Sequence, residues 1–391
     1  MSEPNRRETI LCLNTGSSSL KFALYEFEGD REQLRGSGAV EGIEGSSSGR
    51  LWLHAGESRF GRPLACTNHE AALTAAFSAL DEAELARPTC IAHRVVHGGP
   101  RHVAPVPLDA ALVTELRALI PLAPLHLPAA IAGIEAARQH APGVPQIAAF
   151  DTAFHARMPA LARRFALPDE LDAQGVHRYG FHGLSFEYVL SVLGTPPPER
   201  VIVAHLGNGS SLAAVRDGVS IDTTMGLTPT GGVAMGTRSG DLDPGVLIYL
   251  ARHGYSADAL EKLLNRESGL LALGGTADMA ELLNRRSSDS RAALAVDIFC
   301  YSVRKAIGGL AFALGGLDVL VFTGGIGEHA AFVREQICRD LEPFGIQLDP
   351  HKNQADAREI QATTSRIAVQ VIRTDEDLML ARHALHFLLK F

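Results

Sequence analysis

Leu11-Cys12-Leu13-Asn14-Thr15-Gly16-Ser17-Ser18-Ser19-Leu20-Lys21-Phe22 is the stretch on which the fold turns. Leu11 and Leu13, then Leu20, Phe22 and Leu24, alternate with their neighbours, which is strand spacing on both sides of a bend at Gly16. A strand–turn–strand of this composition gathers backbone N–H groups and hydroxyls into one concavity, with Lys21 beside it. Phosphate oxygens require such a cradle. A plain hairpin whose serines solvate the turn is the alternative at this point.

The rest of the chain favours the cradle. Arg200 to His205 reads as a second strand, running into Leu206-Gly207-Asn208-Gly209-Ser210-Ser211-Leu212 and a further strand, a hairpin of the same kind about half a chain away. After each hairpin, helices alternate with strands: Glu70 to Ala86, Cys90 to Val96, Leu108 to Ile120, Ala129 to His140 and Pro145 to Phe150 in the first half. In the second half come Pro244 to Arg252, Ala257 to Asn265, Asp278 to Leu283, Arg291 to Leu314, Asp318 to Phe322, a helix to Asp340, Ile367 to Ile372 and Asp377 to Leu389. Repetition of strands followed by helix–strand alternation indicates a tandem α/β unit, with the two hairpins facing each other across a cleft.

Bulk composition narrows the function. The 391 residues exceed one ordinary core, 46% are hydrophobic and 20% charged, and 36 Lys+Arg against 44 Asp+Glu give −8. That balance argues against nucleic acid or an anionic membrane as partner, so phosphate chemistry here must use a few local cations. No apolar run is long enough for a membrane span, and Met1 to Arg7 leads into a strand without a signal-peptide core. Five scattered cysteines without C-x-x-C read as reduced thiols of a cytosolic protein.

Candidate chemistry sits at the ends of the strands. Arg94, in His93-Arg94-Val95-Val96-His97, is a charge in an apolar strand and needs a partner or a ligand. Arg238 lies in the loop Met235 to Pro244, where an ion pair with Asp241 or Asp243 competes with an anion-clamping role. His93 and His97 lack the glutamate of H-E-x-x-H, so zinc is not supported. His126 reads as structural, whereas His182, between Phe181 and Gly183, reads as a donor aimed into a site. Asp151 and Glu376 end strands and suit Mg²⁺ binding or substrate orientation, although Glu376 also fits a first-turn acid at a helix N-terminus. Gly324-Gly325-Ile326-Gly327-Glu328 is a third glycine loop, but neither G-x-G-x-x-G nor a P-loop occurs.

Taken together, Asn14 to Phe22, His93 to Gly99, Phe150 to His155, Arg178 to Gly183, His205 to Ser211, Gly236 to Asp241 and Phe322 to Glu328 resemble the acetate kinase (acetokinase) family, in its order and nearly end to end. The resemblance implies a duplicated ribonuclease H-like (actin-like ATPase) α/β fold, with two domains flanking an active-site cleft. Residues 1–151 plus 378–391 would form the N-terminal domain and 152–377 the nucleotide-binding and dimerisation domain. It further implies a cytoplasmic homodimer using ATP and Mg²⁺, with Mn²⁺ able to substitute, and the reaction acetate + ATP ⇌ acetyl phosphate + ADP.

By motif, the resemblance gives Arg94, Asp151, His182 and Arg238 to catalysis and Asn14 and Glu376 to the metal. Ser17, Ser19 and Lys21 match the phosphate hairpin. His205, Leu206, Gly207, Asn208, Gly209, Asp278, Met279, Ala280, Gly324, Gly325, Ile326, Gly327 and Glu328 match the nucleotide segments, and Arg94, Val96, Leu125, Phe181 and Pro229 the carboxylate site with its small apolar pocket. A carboxylate acceptor is already ionised, so it needs charge neutralisation and in-line positioning before it needs a base. Asp151 is accordingly expected to orient Arg94 or a metal-bound water. The chain departs from the family in four places: Leu127 for Asn, Phe186 for His, Ala280 for Arg, and Thr374-Asp375-Glu376-Asp377 for T-N-E-E. The first two are expected at the rim of the acyl pocket, leaving propionate or butyrate as alternative acceptors, and the third bears on nucleotide preference. A nucleotide-driven conformational module is a further alternative, one that leaves the two arginines unexplained.

Overall fold

The computed structural model of the chain describes residues 7–29, 31–43 and 49–390. The expected leaderless start, Met1 to Arg6, lies outside the described residues. The chain divides into two compact units, Met1–Ala153 with Asp375–Phe391, and Phe154–Thr374. The second crossing comes before the expected 377/378 boundary because the last helix, Glu376–Leu388, packs on strands of the first unit.

The first unit holds β1 (Arg7–Thr15), β2 (Ser19–Glu28), β3 (Arg31–Glu41), β4 (Arg50–Ala55), β5 (Ser58–Pro63), β6 (Cys90–Val95), β7 (Val106–Pro107) and β8 (Gln146–Phe150). They form one sheet in the order β5-β4-β3-β2-β1-β6-β8-β7. β1, β2 and β3 are an antiparallel meander, while β6 runs parallel to β1, and β8 parallel to β6. The opening hairpin is as expected: Asn14 pairs with Lys21, and the Gly16 N–H donates to the Ser19 carbonyl at 2.8 Å. Side chains alternate across the sheet. Leu11, Leu13, Leu20, Phe22 and Leu24 pack on the helix His69–Glu82. The opposite face, carrying Cys12, meets the helix Glu376–Leu388, where the Cys12 thiol donates to the Asp377 carbonyl at 3.2 Å. Strand alternation therefore sets Asn14 on the face of the sheet that this helix covers.

The second unit holds β9 (Arg200–Leu206), β10 (Ser210–Arg216), β11 (Val219–Thr223), β12 (Val319–Thr323) and β13 (Ala368–Val371), in the order β11-β10-β9-β12-β13. Again three strands form an antiparallel meander and two follow in parallel. This is the same third-second-first-fourth-fifth order found at the centre of the first sheet, so the chain is a duplicated ribonuclease H-like α/β protein. Helices cover both faces, which is why these strands are apolar throughout. Ile202, Ala204, Leu320 and Phe322 face the helix Ser290–Leu314, and Val201, Val203, Val319 and Val321 face Phe186 and Val189 of the helix Gly183–Leu193.

Two elements differ from the sequence expectation. The helix Gly183–Leu193 carries no clear signal in a run that mixes apolar, β-branched and polar residues, yet it supplies one wall of the second core. The single helix expected from the Gly324 loop to Asp340 is two, Gly324–His329 and Ala331–Cys338. Arg334 explains the break. Fully buried, it donates to the Gly327 and Glu328 carbonyls at 2.9 Å each, to Asn353 Oδ1 at 2.8 Å and to the Asn353 carbonyl at 2.7 Å, and it meets Asp356 at 2.5 Å. One guanidinium thus satisfies the last carbonyls of the first short helix and locks it to the helix Pro350–Gln354.

Arg334→Ala should lower unfolding stability by about 3–5 kcal/mol, because a buried ion pair and three carbonyls lose their donor. Arg50→Ala, at an exposed pair with Glu41, should cost no more than about 1 kcal/mol. Urea titration of both variants separates these outcomes, and equal midpoints would remove the structural role given to Arg334.

Burial also pushes His93 and His155 down to about 4. Both are neutral when folded above that value, whereas the unfolded chain takes up their protons near pH 6.5. Their stabilisation is complete above pH 6.5 and is lost as pH falls toward 4, about 2 kcal/mol per histidine by pH 5. Urea midpoints at pH 7 and pH 5 should show the loss, and His93→Gln and His155→Gln should each reduce it.

Candidate active site

In the first unit the carboxyl ends of β6 and β8 meet the start of the last helix. Arg94, one residue from the end of β6, donates through Nε to Asp151 Oδ1 at 2.9 Å and through a terminal nitrogen to Oδ2 at 2.8 Å. Its other terminal nitrogen lies 2.5 Å from Glu376 Oε2. Asp151 is 1% exposed and follows β8 directly. Burial alone would lower the Arg94 pKa, but the field of Asp151, then Glu376, more than reverses this and holds the charge in place. The fork geometry leaves the guanidinium plane a fixed orientation.

The other expected groups of this unit lie in the hairpin, just after β6 and just before a helix. Asn14 and Lys21 stand opposite each other in the hairpin, Ser17 is exposed, and Ser19 is half-buried. His69 Nε2 lies 2.8 Å from the Gly16 carbonyl and steadies the turn, a contribution that nothing in the hairpin motif announces. Val96 follows β6, and Leu125 precedes the helix Leu127–His140; both are half-buried. Asp377 is raised to about 6 by burial and by Glu376 and Asp375, against the pull of Arg94 and Lys21. Among the described residues no group of three His, Cys, Asp or Glu side chains forms a ready metal cage. Asn14 and Glu376 nevertheless fit Mg²⁺, which takes one or two protein oxygens and completes its shell with water and phosphate.

In the second unit the hairpin between β9 and β10 organises a cluster of donors. His182 Nδ1 lies 2.8 Å from Ser211 Oγ, His205 Nδ1 lies 2.8 Å from Ser185 Oγ, and the two imidazoles stack at 4.3 Å. The Thr374 hydroxyl donates to Ser185 Oγ at 2.9 Å. His182 sits at φ +60°, an unfavourable position for a residue with a side chain, held by the surrounding bonds. Arg238 donates to the Pro229 carbonyl at 3.1 Å, and burial lowers its pKa. A methyl added to Gly209 would sit 3.4 Å from both Arg238 and His182 Nε2, so the glycine lets the turn pass between them. Phe181, His182, Gly209, Pro229 and Arg238 thus form one neighbourhood.

Beside it, Gly207, Asn208, Asp278, Met279, Ala280, Gly325 and Ile326 line a cavity of about 450 Å³, a size that suits a small ligand. The Asp278 carboxylate caps the helix Met279–Arg285, accepting from the Ala280 N–H at 2.8 Å. The remaining expected nucleotide residues are not among its walls. Leu206 is core, and Gly324 at φ +76° lets the loop cross the Leu206 carbonyl, where a Cβ would lie 2.7 Å away. Glu328 Oε1 accepts from the Gly324 N–H at 3.0 Å and the Thr374 N–H at 3.1 Å.

Two departures from the family pattern prove to be core residues. Leu127 is fully buried with Val95 and Phe150, and Phe186 packs on Phe154 and His155. Neither side chain is left at a rim, because each substitution exchanges a polar group for apolar volume inside a packed layer. Ala280, by contrast, is exposed in the cavity wall. Sequence reading missed Ser185, Ser211 and Thr374, whose hydroxyls lie within hydrogen-bonding distance of these histidines or of each other. Ser/Thr neighbours of a paired histidine motif are the signal that was available.

Comparison with known proteins agrees with this geometry. The model of the Acetokinase family matches residues 9–382. The acetate kinase of Rhodopseudomonas palustris (strain ATCC BAA-98 / CGA009) is 44% identical over 389 residues, covering 96% of this chain and 97% of that protein. Among solved structures, a propionate kinase from Francisella tularensis subsp. tularensis SCHU S4 superposes with a TM-score of 0.91 at 39% identity, covering 97% of this chain and 99% of its own. Porphyromonas gingivalis acetate kinase gives 0.86 at 36% identity, covering 97% and 100%. Matched by the family model and by these relatives over nearly its whole length, the chain belongs to the Acetokinase family.

Proposed function

We propose that the protein catalyses reversible phosphoryl transfer from ATP to acetate, giving acetyl phosphate and ADP by direct in-line displacement. The observation that carries this reading is the buried Arg94 fork on Asp151, with Glu376 on its other side. A fixed guanidinium neutralises a carboxylate acceptor and the phosphoryl group it approaches. Asp151 already spends both oxygens on Arg94, which favours positioning over proton transfer, and acetate has no proton to remove. From the second unit, Arg238 and His182 are assigned to the charge of the transferring phosphoryl. The cavity bordered by Asn208, Asp278 to Ala280 and Gly325 is assigned to the nucleoside, and Ser17, Ser19 and Lys21 to the phosphate end of the nucleotide.

Asn14 and the free oxygen of Glu376 would hold Mg²⁺, which when bound neutralises the nucleotide phosphates. Val96, Leu125, Phe181 and Pro229 are assigned to the acyl group. The likeness to a propionate kinase favours a second acceptor, since one added methylene shifts selectivity by only about 10–200-fold. All five cysteines are free and buried, which suits a reducing cytoplasm.

A homodimer built on the second unit is supported by the helices Pro244–Arg252 and Ala257–Arg266, which bury no residue within the chain. The first leaves Ile248 and Tyr249 54% and 61% exposed. Two large apolar side chains left exposed side by side suit a subunit contact.

Trapping acyl phosphate as the hydroxamate, with ATP, Mg²⁺ and acetate, should give product. Arg94→Ala, Arg238→Ala and Asp151→Asn should each lower kcat by about 10²–10³. Absence of product with acetate, propionate and butyrate would end the kinase reading. In light scattering, the parent protein should run as a dimer and Ile248→Asp with Tyr249→Asp as a monomer; a parent already monomeric would refute the dimer.

A further inference from the structure

The carboxyl end of the helix Ser290–Leu314 borders a second cavity, of about 520 Å³, on residues that none of the catalytic assignments use. Ile307, Ala311, Leu317 and Ile367 are among its walls, and no carboxylate lines it among the described residues. Phe312 and Phe344, also in the wall, are 82% and 62% exposed. Apolar concavities of this size with few polar groups are the usual form of small-molecule sites.

One cation borders it. Arg304 donates through Nε to the Ile337 carbonyl at 3.1 Å and through a terminal nitrogen to the Gln336 carbonyl. The last carbonyls of the helix Ala331–Cys338 therefore fix this guanidinium, and its second terminal nitrogen makes no hydrogen bond among the described residues. The helix itself adds an independent sign. Gly308 and Gly309 lie well inside it, and a Cβ at either would meet nothing within 4 Å. Packing does not demand glycine there, and glycine inside a helix costs stability relative to alanine. Gly308 lines the cavity, so its missing side chain keeps the space open.

We infer that this cavity binds a medium-chain aliphatic monocarboxylate, its hydrocarbon against Phe312 and Phe344 and its carboxylate on Arg304. The apolar walls select the chain, and a single anchored cation, with no carboxylate in the lining, selects the head group. The cavity shares no lining residue with the proposed catalytic site, so the two are separate.

Isothermal titration of the full chain with decanoate tests the inference. Saturable binding of one decanoate per chain is expected. Decanol should bind at least about tenfold more weakly, since it offers no charge to Arg304. Gly308→Leu, which fills the cavity from a helix-compatible position, should weaken decanoate at least about tenfold while leaving phosphoryl transfer unchanged. Equal binding of decanol and decanoate by the parent protein, binding undiminished in Gly308→Leu, or no saturable binding would overturn it. So would conversion of a dimeric parent to a monomer by Gly308→Leu, which would make the face a subunit contact.

Discussion

A buried guanidinium must be compensated where it stands, and Arg94 meets that requirement with carboxylates from two distant segments. Asp151 arrives at the end of β8 and Glu376 at the head of the last helix, so the ion cluster welds the strand ends to a helix more than two hundred residues later in the chain. The same helix head is tied down by Tyr25, whose hydroxyl donates to Asp375 at 3.0 and 3.1 Å, and by Cys12 on the Asp377 carbonyl. A positive group held this way has a set position before any ligand arrives, which is what electrostatic catalysis requires of it.

The second unit reaches a similar end by different means. Its hairpin carries no lysine; the donors come from histidines clamped by hydroxyls, and the loop after β12 is shaped by Glu328 within and Arg334 behind. One topology, used twice, thus supports an arginine–carboxylate cluster in one unit and a histidine–hydroxyl cluster in the other. Both clusters sit where the parallel strands end, the place at which an α/β sheet leaves backbone and side chains free of the core.

Much of this was legible in the sequence, for physical reasons. Strand alternation and glycine bends announce both hairpins, and the apolar runs of Cys90 to Val95 and Val319 to Thr323 announce buried parallel strands. Arg94 stood out because a charge in such a run needs an explanation. What stayed hidden is tertiary. Nothing local marks Arg334 as buried, since its helix is an ordinary mixed one, and its partners Asn353 and Asp356 lie some twenty residues on. Leu127 and Phe186 were expected at a rim because a substituted polar position suggests exposure, but the packing beneath absorbed both. The helix Gly183–Leu193 was missed because its polar residues, Ser185, Glu187 and Ser191, do not fall on one helical face and leave the period weak.

The return of the last helix to the first unit also sets an order of events during synthesis. Residues 154–374 form a contiguous unit that leaves the ribosome whole, whereas the first unit, begun earliest, is finished last. Until Glu376–Leu388 has emerged, β1 and β6 lack the helix that covers one of their faces, and Arg94 has only Asp151. The amino-terminal half must therefore wait, partly assembled and with an open apolar face, for most of translation. A ribosome that stops short of residue 376 releases a chain whose second unit is complete and whose first is not.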